Sequence, residues 1–183
     1  MGATRRTMMM ACAAAALAGA AGPAAASGHG WQTVADVGLA GLLASAAGAT
    51  AYEHDWKGAE QLGLSLAATE AETWGLKHAF PERRPNGSDR RSFPSGHTSL
   101  SFAAAGYLQQ RYGWEAGLPA AAVAGLVGFA RVKSHDHHWY DVVAGAAIGE
   151  ATAFLLTSKH DDKVQILPWA DSHGAGFSLA ARF

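Results

Sequence analysis

The stretch Arg131-Val-Lys-Ser-His-Asp-His-His-Trp-Tyr-Asp141 places two cations, three histidines and two carboxylates close together in the chain. His137 and Asp141 stand four residues apart, so on a helix their side chains share one face. A carboxylate bound to one ring nitrogen fixes the tautomer of a histidine and leaves the other nitrogen free as a nucleophile or base. The stretch therefore predicts a reactive histidine, His137, that is oriented by Asp141.

Two other interpretations of this stretch remain open. His135, Asp136, His137 and His138 crowd together, which is also a feature of metal sites. However, neighbouring residues on a helix point in different directions, and no cysteine or second histidine pair stands nearby at ligand spacing. A solvated polar loop without chemistry is the third interpretation.

Two segments upstream carry groups that suit an anion. Pro94-Ser95-Gly96-His97 reads as the start of a helix, where free backbone N–H groups favour a ligand such as phosphate. Lys77 lies in the last turn of the preceding predicted helix, and Arg84 follows that helix in the segment that ends at Pro85. Taken alone, the first segment is an ordinary turn with an N-cap, and the second is an ordinary set of cations at a helix C-terminus.

Taken together, the three segments resemble the type 2 phosphatidic acid phosphatase and vanadium haloperoxidase superfamily. Its pattern is Lys-x6-Arg-Pro, then Pro-Ser-Gly-His, then Ser-Arg-x5-His-x3-Asp. The chain has Lys77…Arg84-Pro85, Pro94-Ser95-Gly96-His97 and Arg131…His137…Asp141, in this order and with the internal spacing kept. Ala130 replaces the serine before the arginine, which removes a hydroxyl beside the phosphate clamp and leaves the charged residues intact.

The resemblance implies a metal-independent phosphatase that hydrolyses a phosphate monoester, either a lipid phosphate such as phosphatidic acid or a small soluble ester. It implies that His137 forms a phosphohistidine, that Asp141 orients it, and that His97 protonates the leaving oxygen and then activates water. The residues implied to bind phosphate are Lys77, Arg84, Ser95, Gly96 and Arg131. No metal or cofactor is needed, and His135 and His138 are assigned no role.

Two alternative functions follow from the same residues. A vanadate ion would fit the same anion pocket, as in a vanadate-dependent haloperoxidase. The chain could also be a non-catalytic periplasmic protein that binds phosphate or a metal, although that function has no obvious use for the set of His97, His137 and Asp141.

The remaining sequence predicts an all-α fold in one domain, residues 27–183. Hydrophobic residues make up 49% of the chain and charged residues 16%, which is enough for a buried core, and 22 glycines favour closely packed helices. We expect a single bundle of about five helices at 34–52, 56–78, 95–112, 115–131 and 137–157, with Pro119 in the first turn of the fourth helix and Asp136 capping the fifth. Residues 164–167 and 177–180 predict a short C-terminal β-hairpin.

The N-terminus predicts export. Residues 1–26 read as a signal peptide, with Arg5 and Arg6, a short apolar run and the small residues Ala24 and Ala26 before a cleavage point at Ser27. All four methionines and Cys12 lie in this leader. The mature chain would therefore lie in the periplasm or on the extracytoplasmic face of the membrane.

Two expectations concern partners. The formal net charge of −1 gives no electrostatic case for nucleic acid, so the expected partner is a phosphate-ester substrate. Helices of about 16 residues would be about 24 Å long, against a hydrocarbon core of about 30 Å. That comparison favours a soluble or loosely attached periplasmic protein, with an integral membrane form as the alternative.

Overall fold

The computed structural model describes residues 27–160, 164–171 and 174–181, so the predicted leader lies outside the described residues. Within the described ranges the bundle consists of five helices: α1 (Gly28–Tyr52), α2 (Trp56–Ala79), α3 (Gly96–Tyr112), α4 (Trp114–Lys133) and α5 (Trp139–Leu156). The predicted all-α bundle of five helices is confirmed. After it, β1 (Val164–Asp171) and β2 (Gly174–Ala181) run antiparallel, with Ile166 opposite Leu179.

Helix α3 lies at the centre of the bundle and packs against the other four helices. Its inner residues Ala103, Ala104, Ala105 and Tyr107 are almost fully buried. Consecutive helices run antiparallel, joined by short connections except for the longer loop 80–95, so α2 and α4 end where α1, α3 and α5 begin. This common end of the bundle gathers all three sequence segments, and we call it the site end.

Two glycines on α5 let its backbone touch that of α3. A Cβ added at Gly149 would lie 2.1 Å from the Ser99 carbonyl oxygen, and one added at Gly145 would lie 2.7 Å from the Ser95 carbonyl oxygen. Small residues four apart allow such close helix crossings. The contact fixes the height of α5 against α3, and therefore the position of Asp141 against Ser95.

Replacing Gly149 with alanine should lower stability by about 1–3 kcal/mol, because the added methyl group meets backbone atoms that cannot move aside. Gly63→Ala on α2 is the matched control, since a Cβ there meets nothing within 4 Å and should be neutral or slightly stabilising. Thermal unfolding of both variants in one detergent measures the difference. Equal midpoints would show that α3 and α5 are not in backbone contact.

Two helix starts differ from the sequence predictions. Helix α1 begins at Gly28 rather than at Val34, because the Ser27 side chain accepts a hydrogen bond from the Gly30 N–H (3.1 Å) and caps the helix. Helix α5 begins at Trp139, so His137 lies in the preceding loop and not on the helix. The expected cap, Asp136, is wrong because its carboxylate is bound to other segments.

A smaller difference concerns Pro119. It lies inside α4, past the first turn in which the sequence placed it.

Three of the described helices are long and apolar enough to cross a membrane by length and composition: α1, α4 and α5, with 25, 20 and 18 residues. At 1.5 Å per residue they measure about 37, 30 and 27 Å, which is close to or above the roughly 30 Å of a hydrocarbon core. The prediction that the helices fall short of a span is therefore wrong for α1 and α4, whose true ends lie outside the predicted ones.

Candidate active site

Hydrogen bonds to backbone carbonyl oxygens tie the three sequence segments together at the site end. Lys77 Nζ donates to the carbonyl oxygens of Arg91 (2.9 Å) and Pro94. The Ser95 N–H donates to the Asp141 carbonyl oxygen at 3.0 Å. Arg84 Nη1 donates to the Asp136 carbonyl oxygen at 3.3 Å. The end of α2, the start of α3 and the loop before α5 thus form one site.

The His137–Asp141 pair lies at the bottom of this site, with side chains 2% and 0% exposed. His137 Nδ1 is 3.5 Å from Asp141 Oδ2. That oxygen accepts hydrogen bonds from Ser92 Oγ (2.5 Å) and from the His138 N–H (2.8 Å). Asp141 is therefore held in place independently of His137. His137 Nδ1 makes no hydrogen bond among the described residues and faces this carboxylate only at 3.5 Å. A slightly shorter contact would engage Nδ1 and leave Nε2 as the ring nitrogen for chemistry.

The surroundings of His137 keep its imidazole neutral. Burial and the positive charges of Arg84, Arg131 and Lys77 lower the pKa of His137 to about 3. A neutral imidazole has a free nitrogen lone pair, which is the form that attacks phosphorus or takes a proton. The same three cations that keep the imidazole unprotonated would also attract an anion to it.

Arg131 has unused hydrogen-bonding capacity. Its side chain is 9% exposed, and Nη1 lies 3.2 Å from Asp136 Oδ2. Its buried Nε has no hydrogen-bond partner among the described residues. A buried guanidinium N–H without an acceptor is costly, and an oxyanion would satisfy it.

The other two cations have partners of their own. Arg84 Nε donates to Asp89 Oδ1 at 2.8 Å. Burial and the nearby Arg84 lower the pKa of Lys77 to about 8. Lys77 and Arg84 therefore lie close enough to repel each other, and an anion between them would relieve that repulsion.

The Pro94–His97 segment contributes a helix start and a second histidine. Ser95 occupies the N-cap of α3, as predicted, but its hydroxyl lies 2.9 Å from Thr98 Oγ1 and makes no capping bond to a backbone N–H. The first-turn N–H groups, beginning at the half-buried Gly96, are therefore not satisfied by that side chain. His97 is about one-third exposed, and its Nε2 lies 2.8 Å from Asp36 Oδ1 on α1.

Asp136, which the sequence offered only as a helix cap and in the metal-site alternative, connects the segments around the site. Its carboxylate accepts hydrogen bonds from Gln32 Nε2 (3.1 Å), Asn86 Nδ2 (2.9 Å) and Ser134 Oγ (2.7 Å), besides pairing with Arg131. It thus connects α1, the loop after α2 and the end of α4. No spacing rule could have found its bonds to Gln32 and Asn86, which lie 104 and 50 positions away in the chain.

The histidines next to His137 differ from each other. His135 is exposed and has a positive φ of 58°. His138, which was assigned no role, supplies the N–H that holds Asp141, and its ring stacks on Tyr140 with centroids 4.9 Å apart. Ligand atoms of Glu82, His138 and Asp141 lie within 4.8 Å of one another, a different set from the one the sequence suggested for a metal. Both carboxylates of this set already accept hydrogen bonds from hydroxyl groups: Tyr140 donates to Glu82, and Ser92 donates to Asp141.

Residues 66–165, from α2 into β1, match the family model of the PAP2 superfamily. The chain belongs to the PAP2 superfamily. It is 32% identical over 143 residues to the lipid A 4'-phosphatase of Helicobacter pylori, which covers 68% of this chain and 72% of that protein. It is also 32% identical over 99 residues to the probable diacylglycerol pyrophosphate phosphatase 1 of Schizosaccharomyces pombe, covering 46% of this chain and 33% of that one.

A solved structure shows the same fold. The crystal structure of Aquifex aeolicus LpxE aligns with a TM-score of 0.52 at 23% identity, covering 66% of this chain and 83% of that chain. The resemblance found in the sequence is thus confirmed for this PAP2 chain. The prediction of an enzyme of the phosphoric monoester hydrolase class is confirmed by these relatives, which are named as phosphatases.

Proposed function

We propose that this PAP2 chain is a metal-independent lipid phosphatase that hydrolyses a phosphate monoester through a phosphohistidine intermediate. The observation that carries the proposal is a buried, neutral His137, positioned by Asp141 and surrounded by three cations, one of which has an unpartnered guanidinium N–H. That combination suits a nucleophile directed at a bound oxyanion.

The phosphoryl group would be bound from two sides. Arg131 and Arg84 would donate charge-assisted hydrogen bonds to its oxygens, and Lys77 would add a point charge. The α3 N-terminus at Ser95 and Gly96 would add backbone N–H groups and its positive helix end. In phosphoryl transfer most of the catalysis comes from such positioning and charge stabilisation.

The reaction would proceed in two displacements. In the first, His137 Nε2 attacks phosphorus, the bond to the leaving oxygen breaks, and His97 gives that oxygen a proton. Asp141 stabilises the positive charge on the phosphorylated imidazole. In the second, His97 takes a proton from water, the water oxygen attacks phosphorus, and the P–N bond breaks with its electron pair returning to His137.

Exposed aromatic side chains support a lipid substrate and membrane association. Trp74, Phe129 and Trp139 are exposed at the site end, and Trp56 and Trp114 are exposed at the opposite end. Trp side chains concentrate at the two membrane–water interfaces of integral proteins. With α1, α4 and α5 as candidate spans, the site end would lie at the level of lipid headgroups.

The relatives and the N-terminus add to this proposal. The Helicobacter pylori relative is named for lipid A, and the Schizosaccharomyces pombe relative for diacylglycerol pyrophosphate. We extend a lipid phosphate substrate to this chain on that basis. The predicted leader 1–26 would place the start of the domain 27–183, and with it the site end, on the extracytoplasmic face. The predicted C-terminal hairpin is part of the same domain.

Phosphate release by the full chain in detergent micelles tests the proposal. We expect release from phosphatidic acid, unchanged by EDTA, because side chains fill every role. Loss of phosphate release in EDTA and its return on addition of zinc would overturn metal independence and implicate Glu82, His138 and Asp141. Release of phosphate from glycerol phosphate but not from phosphatidic acid would overturn the assignment of a lipid substrate. Bromide oxidation in the presence of vanadate without phosphate release would favour the haloperoxidase.

A further inference from the structure

Helix α1 reaches the active site although it lies outside the residues that match the family. The match covers residues 66–165, whereas α1 spans Gly28–Tyr52. Two of its side chains, Gln32 and Asp36, stand one helical turn apart and share a face. Gln32 Nε2 donates to Asp136 Oδ2 at 3.1 Å, and Asp36 Oδ1 lies 2.8 Å from His97 Nε2.

We propose that Asp36 is a positioning residue for the proposed reaction, which orients the His97 ring and fixes its tautomer through Nε2. With Nε2–H donating to the carboxylate, Nδ1 is the ring nitrogen that exchanges a proton with the leaving oxygen and with water. Asp36 would thus do for His97 what Asp141 does for His137. This inference rests on the proposed function, because His97 has a proton to transfer only if the chain cleaves an ester.

The packing of α1 holds the backbone at Asp36 in place, although the Asp36 side chain itself is 62% exposed. Val34 and Ala35 are buried against Val127 and Ala130 of α4. A Cβ added at Gly38 would lie 2.7 Å from Val127 Cγ2, so the two helices are in close contact on both sides of Asp36. The Asp36 carboxylate therefore starts from a fixed backbone, which is what a positioning residue requires.

Trp31 adds a contact at the site end. It packs edge-on against Phe129 of α4, with centroids 5.5 Å apart. Together with the bond from Gln32 to Asp136, this contact fixes the first turns of α1 against the site.

The charges around His97 determine whether replacing Asp36 raises or lowers the pKa of His97. Three charged groups face it: Asp36 from α1, Arg131 from α4, and Asp136 from the loop that follows. Burial and Arg131 lower the pKa of His97, and the Asp36 hydrogen bond and charge oppose that shift. Removing the Asp36 charge should therefore lower the pKa of His97 further, so that the ring loses its proton at a lower pH.

Two substrates separate positioning from folding. General-acid help is worth about 10²–10⁴-fold when the leaving alkoxide is strongly basic, whereas a nitrophenolate leaves without a proton. For Asp36→Asn we expect a loss of about tenfold or more in kcat with an alkyl phosphate, and an alkaline limb at lower pH. The pre-steady-state burst with a nitrophenyl ester should stay close to that of the unchanged chain. Asp36→Glu should recover part of the lost activity.

Glu60→Gln is the matched control, since it neutralises an exposed carboxylate on α2. It should leave the kinetics with both substrates unchanged. His97→Ala identifies the His97 resonance in NMR titrations, where Asp36→Asn should lower its pKa. An Asp36→Asn chain with unchanged alkyl-ester kinetics and an unchanged titration would overturn the proposal. An equal loss in the alkyl-phosphate kcat and in the nitrophenyl burst would also overturn it, because it would indicate a structural role.

Failure of the proposed function would look different. If the unchanged chain releases no phosphate from any ester, the proposed reaction is wrong, and no variant can test a role in it. In that case a lower His97 pKa in Asp36→Asn would show only that Asp36 and His97 interact. The proposed positioning role in catalysis would be overturned together with the reaction.

Discussion

Replacing His137 with alanine should abolish turnover of every phosphate ester, whether the leaving group is an alkoxide or a nitrophenolate. The methyl group of alanine cannot attack phosphorus, so no phosphoenzyme forms and neither displacement can occur. Losses on the order of 10⁶-fold in kcat are known when the nucleophile of a covalent mechanism is removed. The fold should survive, because the hydrogen bonds that hold the Asp141 carboxylate come from Ser92 Oγ and the His138 N–H and not from the His137 ring.

Rapid-quench labelling with ³²P-substrate measures this directly. The unchanged chain should carry acid-labile phosphate, and His137→Ala should carry none. His135→Ala is the matched control, since that neighbouring histidine is exposed and should leave labelling intact. Labelling should also persist in mildly acidic buffer, because the pKa of His137 is about 3 and the ring stays neutral there. Acid-labile phosphate on the His137→Ala chain would assign the nucleophile to another residue.

Much of the fold was predictable because helical periodicity is a local property. Helix α2 and helix α3 lie where the sequence placed them, since capping residues and a Pro-rich loop bound them clearly. The start of α1 was missed because Gly28, His29 and Gly30 carry no apolar pattern, and the cap at Ser27 alone starts the helix. The α5 start was wrong for a different reason. Asp136 is a good cap by type, but its carboxylate is held elsewhere by tertiary hydrogen bonds from Gln32 and Asn86 and by a local one from Ser134.

The motif residues of the candidate site could be predicted because their spacing is recorded within short segments. Residues that act across the fold could not. Asp36 is 61 positions from His97, and Gln32 is 104 positions from Asp136. Such pairs depend on how α1 packs on α4, and a single sequence contains no local signal for that. His137 shows the same limit in reverse, since its pairing with Asp141 exists although the helix that predicted it begins two residues later.

The position of Arg131 explains why lysine should not replace it. The guanidinium has one nitrogen, Nη1, on Asp136 and another, Nε, buried without a partner. It can therefore hold a carboxylate and a phosphoryl oxygen at the same time. A lysine has a single charged nitrogen, which must choose between them, although the formal charge of the site is unchanged.

Arg131→Lys should lower kcat/KM for a phosphate ester by about 10- to 150-fold, the cost of losing one charge-assisted hydrogen bond of about 1.5–3 kcal/mol. Lys133→Arg is the matched control, because it makes the reverse exchange two residues later at an exposed position beside Phe129. Thermal unfolding of both variants separates a damaged fold from a damaged clamp. If Arg131→Lys unfolds normally and keeps near-normal kcat/KM, Arg131 does not touch phosphate, and its free N–H must serve another purpose. If only kcat/KM falls, the planar fork of arginine, and not its charge, is what the site requires.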